Sequence, residues 1–224
     1  APVYQIFFGQ EIESKSNVFN PLEVGLMEDL QRSKKGIDFL YILPFSKNRA
    51  LLEYTIFSNT FIKPECLQGS LENILSIKNI GPYKILRSES GALPMGLKEN
   101  VCRSKDYYLR AGIASGNLRK STGYGFLRIQ GWAKHVASNL SESDSKKISV
   151  TRNYFHGNRK QNFFDSLFIK VLKNDLYLGE NIFLNIGRQM SADRFARFMS
   201  DAAQICDYLS LAMSVPKFPF FKAL

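Results

Sequence analysis

The stretch from Phe39 to Ser58 constrains the fold of this chain more than any other. It consists of two apolar runs rich in β-forming residues, and the polar residues Ser46, Lys47 and Asn48 separate them. A short polar loop that contains Asn, between two such runs, is typical of a β-hairpin. The sequence therefore predicts two neighbouring antiparallel strands here, inside a larger sheet.

One acidic residue, Glu53, interrupts the second run of this hairpin. Because side chains alternate between the faces of a strand, Glu53 is predicted to share a face with Leu51, Thr55 and Phe57, while Tyr54 points the other way. A carboxyl group among apolar neighbours has a raised pKa and can work as a general acid or base near neutral pH. The alternative is a glutamate on a solvated face, which is the more common position for a lone Glu in a strand.

A second group of candidate residues lies between Leu109 and Phe126, where four glycines occur within a short span. Glycines let a backbone approach a ligand closely. A helix predicted to begin at about Phe126 would offer free N–H groups and a positive dipole to a phosphate or an anionic ring. A flexible loop without a ligand is the commoner meaning of such glycines, and the glycine pattern by itself leaves both alternatives open.

The composition narrows the possible classes of protein. The 224 residues carry a formal net charge of +10, which suits an anionic partner such as nucleic acid, anionic lipid or a phosphate-bearing cofactor. The cysteines are far apart and the two histidines, His135 and His156, have no partner at metal-ligand spacing, so we predict neither a disulfide framework nor a metal site. No apolar run is long enough to cross a bilayer, and no export signal is visible at the N-terminus.

Periodicity along the rest of the chain predicts an α+β fold, with a largely antiparallel sheet in the N-terminal half and a helical C-terminal third. Further strands are predicted over Val3 to Ile12 and Tyr83 to Arg87, followed by an apolar turn over Gly91 to Met95. Apolar residues at helical spacing predict helices over Leu67 to Ile77 (capped by Ser70), Phe126 to Leu140, Asn162 to Asn174 and Ala192 to Met213.

Several short motifs, taken in order, resemble the lycopene cyclase family. The residues from Leu51 to Thr55 are similar to the family signature Phe-Leu-Glu-Glu-Thr, whose first Glu, here Glu53, the family treats as essential. Tyr54 replaces the second Glu, on the opposite face of the predicted strand. The segments around Gly112 and Tyr124 are similar to the Gly-x-Ala-Gly and Ser-Thr-Gly-Tyr segments that close over the flavin in this family.

The resemblance implies an antiparallel substrate-domain sheet joined to part of an FAD/NAD(P)-binding, Rossmann-like flavoprotein fold. Residues 1–100 are then a substrate-binding sheet region, 101–140 a glycine loop and helix that close the flavin site, and 141–224 a helical C-terminal region. The catalytic residue implied is Glu53. The implied cofactor-binding residues are Gly112, Gly116, Ser121, Thr122, Gly123 and Tyr124.

The function implied is that of a lycopene β-cyclase, which cyclises the ends of lycopene to β-rings by acid/base carbocation chemistry in carotenoid biosynthesis. Reduced FAD is the implied cofactor, with NAD(P)H as reductant and lycopene or a related linear carotenoid as partner. Such a protein is expected in the cytoplasm, peripheral on the inner face of a membrane. The C-terminal stretch from Pro216 to Phe221 is expected either to anchor at a membrane surface or to pack back on the core, and the sequence leaves both alternatives open. No nucleic-acid partner is expected.

Two other classes remain as alternatives. One is another flavoprotein of the same superfamily, such as a hydroxylase or a prenyl reductase. The other is a non-catalytic basic module that binds a membrane or nucleic acid, suggested by a cluster of Lys146, Lys147, Arg152, Arg159 and Lys160.

The chain lacks a G-x-G-x-x-G dinucleotide fingerprint after an N-terminal strand. It is therefore expected to match the middle and C-terminal parts of the family, and to be inactive alone.

Overall fold

The computed structural model describes residues 2–96, 112–142 and 159–224. Within these residues the strands are β1 (Val3–Ser14), β2 (Gly25–Ser33), β3 (Gly36–Pro44), β4 (Arg49–Ser58) and β5 (Tyr83–Met95). The helices are α1 (Gln68–Ile77), α2 (Phe126–Glu142), α3 (Arg159–Asn174), α4 (Leu178–Gln189), α5 (Ala192–Met199), α6 (Ile205–Ser214) and α7 (Lys217–Ala223). The predicted α+β class is confirmed.

The chain divides into two compact units, which are described separately below. Unit 1 consists of Ala1–Pro94 and Val171–Asn185, and unit 2 consists of Met95–Lys170 and Ile186–Leu224. Cys102 and His156 lie outside the described residues, as do Lys146, Lys147 and Arg152 of the basic cluster. Among the helices of the described residues, none has both the length and the apolar character that crossing a membrane requires.

Unit 1 is built on one sheet, whose five strands in the described residues follow the order β2-β3-β4-β1-β5. The predicted hairpin is confirmed, because β3 and β4 pair antiparallel through the register Tyr41↔Glu53. Its loop is closed by a backbone hydrogen bond from Phe45 N to Arg49 O of 2.8 Å. On its other side β4 pairs with β1, also antiparallel, through Gly9↔Glu53. The strand that carries Glu53 is thus an interior strand.

One face of the sheet packs against α1 and forms the hydrophobic core of unit 1. On this helix-covered face, alternate residues of β4 point into the core, as the period-2 pattern requires. Burying each large apolar side chain here stabilises the fold by about 1.5–3 kcal/mol. The buried cluster comprises Ile6, Phe8, Ile12, Leu40, Ala50, Leu52, Tyr54, Ile56, Leu67, Leu71, Leu75 and Ile80.

The structure corrects three sequence-based expectations. The predicted turn over Gly91 to Met95 is instead the end of β5, an edge strand, where Pro94 is tolerated because it need not donate to a neighbouring strand. Ser70 does not cap α1, which continues from a 3₁₀ turn over Pro64–Leu67 without a side-chain cap. The single helix predicted over Ala192 to Met213 is two helices, α5 and α6.

The break between α5 and α6 has a local cause in Asp207. Its carboxylate accepts a hydrogen bond from the Gln204 backbone N–H (2.9 Å) and forms a capping box that starts a new helix. The same carboxylate binds Arg197 at 2.7 Å, and this ion pair lowers the pKa of Asp207 below its ordinary value. Just before this cap, Asp201 adopts a left-handed backbone conformation with φ of 62°, which an α-helix cannot include.

Replacing Gly36 by Ala is expected to destabilise unit 1 by about 2–4 kcal/mol. Gly36 has φ of 155°, and a Cβ at this position would lie 1.8 Å from the carbonyl oxygen of Phe57, so β3 would have to move away from β4. The control is Gly69→Ala in α1, where nothing lies within 4 Å of the added Cβ and helix propensity predicts a gain of about 0.5–1 kcal/mol. Urea unfolding of the two variants measures this difference, and equal midpoints would contradict it.

Candidate active site

The face of the sheet opposite α1 carries Glu53, and we call it the glutamate face. Strand registers place Gly9 of β1 and Tyr41 of β3 on either side of Glu53. Strand alternation puts Leu51, Thr55 and Phe57 on the glutamate face and Tyr54 on the helix-covered face, as predicted. The side chains of the glutamate face include Gln5, Phe7, Glu11, Phe39, Tyr41, Leu51, Glu53, Thr55, Phe57, Arg87 and Glu89.

Glu53 is half-buried, and its pKa is displaced into the physiological range. Burial raises the pKa of Glu53 from 4.5 to about 7; the hydrogen bond from Thr55 opposes this rise and the negative charge of Glu89 adds to it. Thr55 Oγ1 donates that hydrogen bond to Glu53 Oε1 over 3.2 Å. At neutral pH both the protonated and the ionised form are populated, so Glu53 is able both to give and to accept a proton.

Gly9 provides the space in which Glu53 lies. A Cβ at Gly9 would be 3.5 Å from both Cβ and Cγ of Glu53, and 3.3 Å from Cγ of Glu89. The bare backbone of β1 is therefore covered from one side by Glu53 and from the other by Glu89. A larger residue at position 9 would push these two side chains apart.

Aromatic rings form a continuous row along the glutamate face. Tyr41 packs edge-on against Phe39, with ring centroids 5.2 Å apart, and Phe39 lies 5.3 Å from Phe57. Phe57 in turn stacks on Phe183 of α4 at 5.6 Å. Phe39 and Phe57 are buried, whereas Tyr41, which lies beside Glu53 in the strand register, is partly exposed. Tyr41 is therefore the ring of these three whose face can attract a positive charge close to Glu53.

A strip of alternating charges crosses the same face and was not anticipated from the sequence. Arg49 Nε donates to Glu11 Oε1 (2.6 Å), and Arg87 Nε donates to Glu11 Oε2 (2.6 Å). Arg87 also pairs with Glu89, at 2.5 Å. Arg87 and then Arg49 hold the pKa of Glu11 below its ordinary value, so Glu11 is ionised while Glu53 titrates.

Tyr54, which replaces an acidic residue of the resembling signature, has a structural role on the helix-covered face. Its hydroxyl donates to Asp38 Oδ2 over 2.8 Å, and Ser33 donates to the other oxygen of Asp38 over 2.9 Å. Burial, followed by the hydrogen bond to Asp38, raises the pKa of Tyr54 above its ordinary value. Tyr54 thus lies on the face opposite Glu53 and stays neutral.

In unit 2, the glycine loop adopts the backbone conformations that only glycine takes up easily. Gly112, Gly116 and Gly123 have φ of 61°, 80° and 69°. Within the loop, Arg119 N donates to Tyr124 O (2.8 Å) and Gly123 N donates to Arg119 O (2.9 Å). These two bonds fold residues 119–124 into a compact turn just before α2.

A buried ion pair holds this turn in place. Arg119 and Asp165 of α3 are each 1% exposed and lie 3.1 Å apart, and the Arg119 guanidinium sits 4.1 Å above the ring of Phe198. Ser121 Oγ donates to Asp165 Oδ1 over 2.7 Å. The Ser121 hydroxyl is therefore directed into unit 2, and its cofactor contact, which stays a prediction, would have to use its backbone. Similarly, Thr122 Oγ1 accepts a hydrogen bond from Tyr124 N over 3.2 Å.

The remaining features of the loop fit the edge of an anionic ring system. Among the described residues, nothing lies within 4 Å of a Cβ built at Gly112. Phe126 and Leu127, at the start of α2, are exposed, and the first turn of a helix has N–H groups without intrahelical acceptors. Tyr124 is also exposed.

The fold and these two groups of residues describe an α+β protein with a titratable carboxyl on an aromatic sheet face and a separate glycine loop at a helix start. The family described as lycopene cyclase protein matches residues 1–224. The chain therefore belongs to the lycopene cyclase family.

Individual relatives add detail to this assignment. The chain is 26% identical to the lycopene beta-cyclase of Pantoea ananas over 238 residues, which cover 99% of this chain and 59% of that protein. Among solved structures it is similar to a geranylgeranyl bacteriochlorophyll reductase-like protein from Thermoplasma acidophilum (TM-score 0.46, 12% identity), covering 99% of this chain and 51% of that one. A second is VirX1 (TM-score 0.40, 12% identity), covering 98% of this chain and 36% of that one.

Glu53→Gln is expected to remove a pH-dependent loss of stability. Because the folded-state pKa of about 7 lies above the ordinary value of 4.5, the unfolded chain gives up this proton first, and stability falls as the pH rises between these two values. Full ionisation costs on the order of 3 kcal/mol. The variant should therefore gain stability over the wild type at pH 8 relative to pH 4.

Urea midpoints of the two proteins at both pH values measure the effect. Glu72→Gln is the matched control, because Glu72 is an exposed glutamate of α1 and belongs to unit 1. If Glu53→Gln and the wild type differ by the same amount at pH 4 and pH 8, the carboxyl does not titrate in this range.

Proposed function

We propose that the protein to which these residues belong is a lycopene β-cyclase, with Glu53 as the acid that starts ring closure. The observation that carries the proposal is the half-buried carboxyl of Glu53, with a pKa of about 7, on a face lined by aromatic rings. Membership of the lycopene cyclase family supports it. The substrate proposed is lycopene or a related linear carotenoid, and the pathway is carotenoid biosynthesis.

The chemistry proposed for Glu53 conserves atoms and electrons. The protonated carboxyl gives its proton to a terminal double bond, which forms a C–H bond and leaves a tertiary carbocation. A neighbouring double bond attacks this cation, closes a six-membered ring and places the charge on a ring carbon. Loss of a proton from the adjacent carbon forms the ring double bond, and the Glu53 carboxylate accepts that proton. The product is an isomer of the substrate.

The aromatic row supports this role by its effect on the cation. The ring face of Tyr41, which is partly exposed beside Glu53, attracts positive charge, with a contribution of about 0.5–2 kcal/mol for a close contact. The rings of the row also exclude water, which would otherwise trap the cation as an alcohol. A face composed of hydroxyl and amide groups would do neither.

The proposed cofactor is FAD, held by Gly112, Gly116, Ser121, Thr122, Gly123 and Tyr124 of the glycine loop together with the first turn of α2. When bound and reduced, a flavin supplies a negative charge that stabilises a carbocation, and NAD(P)H serves as its reductant. The N–H groups in the first turn of α2 are the part of this chain that favours an anionic ring. Arg119 and Asp165 keep the loop in the conformation that presents them.

Peripheral association with the inner, cytoplasmic face of a membrane is part of the proposal. Ile205, Leu209 and Met213 recur every fourth residue along α6, and each is at least 60% exposed. On α7, Phe218 and Phe221 are 79% and 70% exposed. Lysines at positions 217 and 222 of α7 complement anionic lipid headgroups. An apolar carotenoid dissolves in the bilayer, so an enzyme that acts on it gains from lying against that surface.

Glu53→Gln in the full-length protein is expected to reduce ring formation by at least about 100-fold, because an amide cannot give a proton to a double bond. Carotenoids extracted from lycopene-accumulating cells that express the variant provide the measurement. An isomer of lycopene with unchanged mass indicates cyclisation, whereas added hydrogen or oxygen would indicate a reductase or a hydroxylase. Ring formation at the wild-type level would remove Glu53 from the mechanism.

Tyr54→Phe is the matched control for this experiment. Its lost hydroxyl leaves Asp38 with one hydrogen-bond donor fewer in the core, at a cost of about 1–3 kcal/mol of stability. Because Tyr54 lies on the helix-covered face, cyclisation by the folded variant should stay within a few-fold of the wild type.

Phe218→Ser combined with Phe221→Ser is expected to weaken binding of the full-length protein to vesicles of anionic phospholipid. Each exchange removes an exposed ring that would enter the interface, so the bound fraction should fall about ten-fold or more. Phe163→Ser is the control, because Phe163 is another exposed aromatic residue, on α3, outside α6 and α7. Co-sedimentation with the vesicles measures binding, and equal sedimentation of all three proteins would contradict this membrane surface.

A further inference from the structure

Three neighbouring strands bring a second carboxyl group beside Glu53. In the sheet order β4-β1-β5, Gly9 occupies the middle strand, with Glu53 opposite it on β4. A Cβ placed on Gly9 would lie 3.3 Å from Cγ of Glu89 and 3.5 Å from Cγ of Glu53. Both glutamate side chains therefore extend over the same glycine, and an ordinary residue at this position would separate them.

Glu89 is held in place by Arg87. Arg87 Nη1 donates to Glu89 Oε2 over 2.5 Å, while its Nε donates to the buried Glu11 over 2.6 Å. Glu11 is fixed in turn by Arg49. The hydrogen bonds to Glu11 and Glu89 raise the pKa of Arg87 above its ordinary value, so this guanidinium stays charged. The position of Glu89 is thus set by two arginines and a buried glutamate.

The charge of Glu89 has a specific effect on its neighbour. Among the described residues of the sheet, the titratable groups that face Glu53 are Arg49 on its own strand, Glu11 on β1, Tyr41 on β3, and Arg87 and Glu89 on β5. On α4, which packs against the Phe57 end of the face, Glu180 is paired with Arg32. Of these, Glu89 is the one whose charge raises the pKa of Glu53, because two neighbouring carboxylates resist simultaneous ionisation.

We propose that Glu89 is a positioning residue of the candidate active site: held by Arg87 across Gly9, its carboxylate keeps Glu53 in the protonated form that starts ring closure. This inference rests on the proposed function of Glu53 as the acid. The part of Glu89 is to favour the return of the proton to Glu53 as the ring double bond forms.

The test is the pH dependence of cyclisation by the full-length protein and its Glu89→Gln variant. Without the charge of Glu89, Glu53 ionises more easily. The pH at which the rate falls on the basic side of the profile should therefore decrease by about 0.5–1 unit. The rate at pH 8 should then fall about 3–10-fold, while the rate at pH 5.5 stays unchanged. Glu89→Asp keeps the charge and should restore most of the wild-type profile. Glu72→Gln, on α1, should leave it unchanged.

A second variant predicts a shift of the opposite sign. Arg87→Gln removes the positive charge that partly neutralises Glu89 and Glu11, so the basic limb should move to higher pH. A merely structural role of these residues would lower the rate at every pH without moving the limb. Should Glu89→Gln not fold, the direction of the shift in Arg87→Gln decides the question. An unmoved limb in the folded variants overturns the inference.

A readout independent of activity completes the experiment. In urea unfolding, the loss of stability between pH 4 and pH 8 that Glu53 causes should be smaller in Glu89→Gln than in the wild type. The outcomes also distinguish the role of Glu89 from the proposed function of Glu53. Ring formation by Glu53→Gln would refute the proposed function, whereas an inactive Glu53→Gln combined with a wild-type pH profile in Glu89→Gln would refute only the role of Glu89.

Discussion

The pairing of β4 between β1 and β3 determines where every group of the candidate active site lies. Because side chains alternate along a strand, a slip of one residue would move Glu53 into the core against α1 and bring Tyr54 to the other face. The apolar residues of the helix-covered face, such as Leu52 and Ile56, oppose such a slip, since they would lose their burial. The same hydrophobic pattern that stabilises the sheet therefore fixes the position of the carboxyl.

The positions of the site residues that lie on one strand, β4, were predictable from the sequence. The period-2 pattern around Glu53 and the polar loop at Lys47 suffice to define a hairpin and its two faces. The neighbours of Glu53 were not predictable in this way, because they come from other strands. Arg87 and Glu11 are separated by 76 residues, and only the order of the strands in the sheet brings them together.

Local irregularities of the backbone account for most of the other features that the sequence did not predict. β2 was not predicted as a strand, and the structure shows why: Met27 and Asp29 have positive φ values of 56° and 52°, and the pairing with β3 shifts register around Glu28. Bulges of this kind interrupt the alternation from which a strand is identified. In the glycine loop, the partner of Ser121 is Asp165, which is 44 residues away and has no sequence signal that links the two.

The helix-covered face of the sheet carries the apolar cluster, whereas the glutamate face carries the carboxyl group with the raised pKa. A carboxyl with a raised pKa is a cost to the fold at neutral pH, and a hydrogen bond from Thr55 only partly relieves it. The cost is tolerated because the other face buries a continuous apolar cluster against α1. Since the core does not depend on Glu53, the glutamate face is free to carry a carboxyl group with a raised pKa, and Gly9 leaves the space that this group needs.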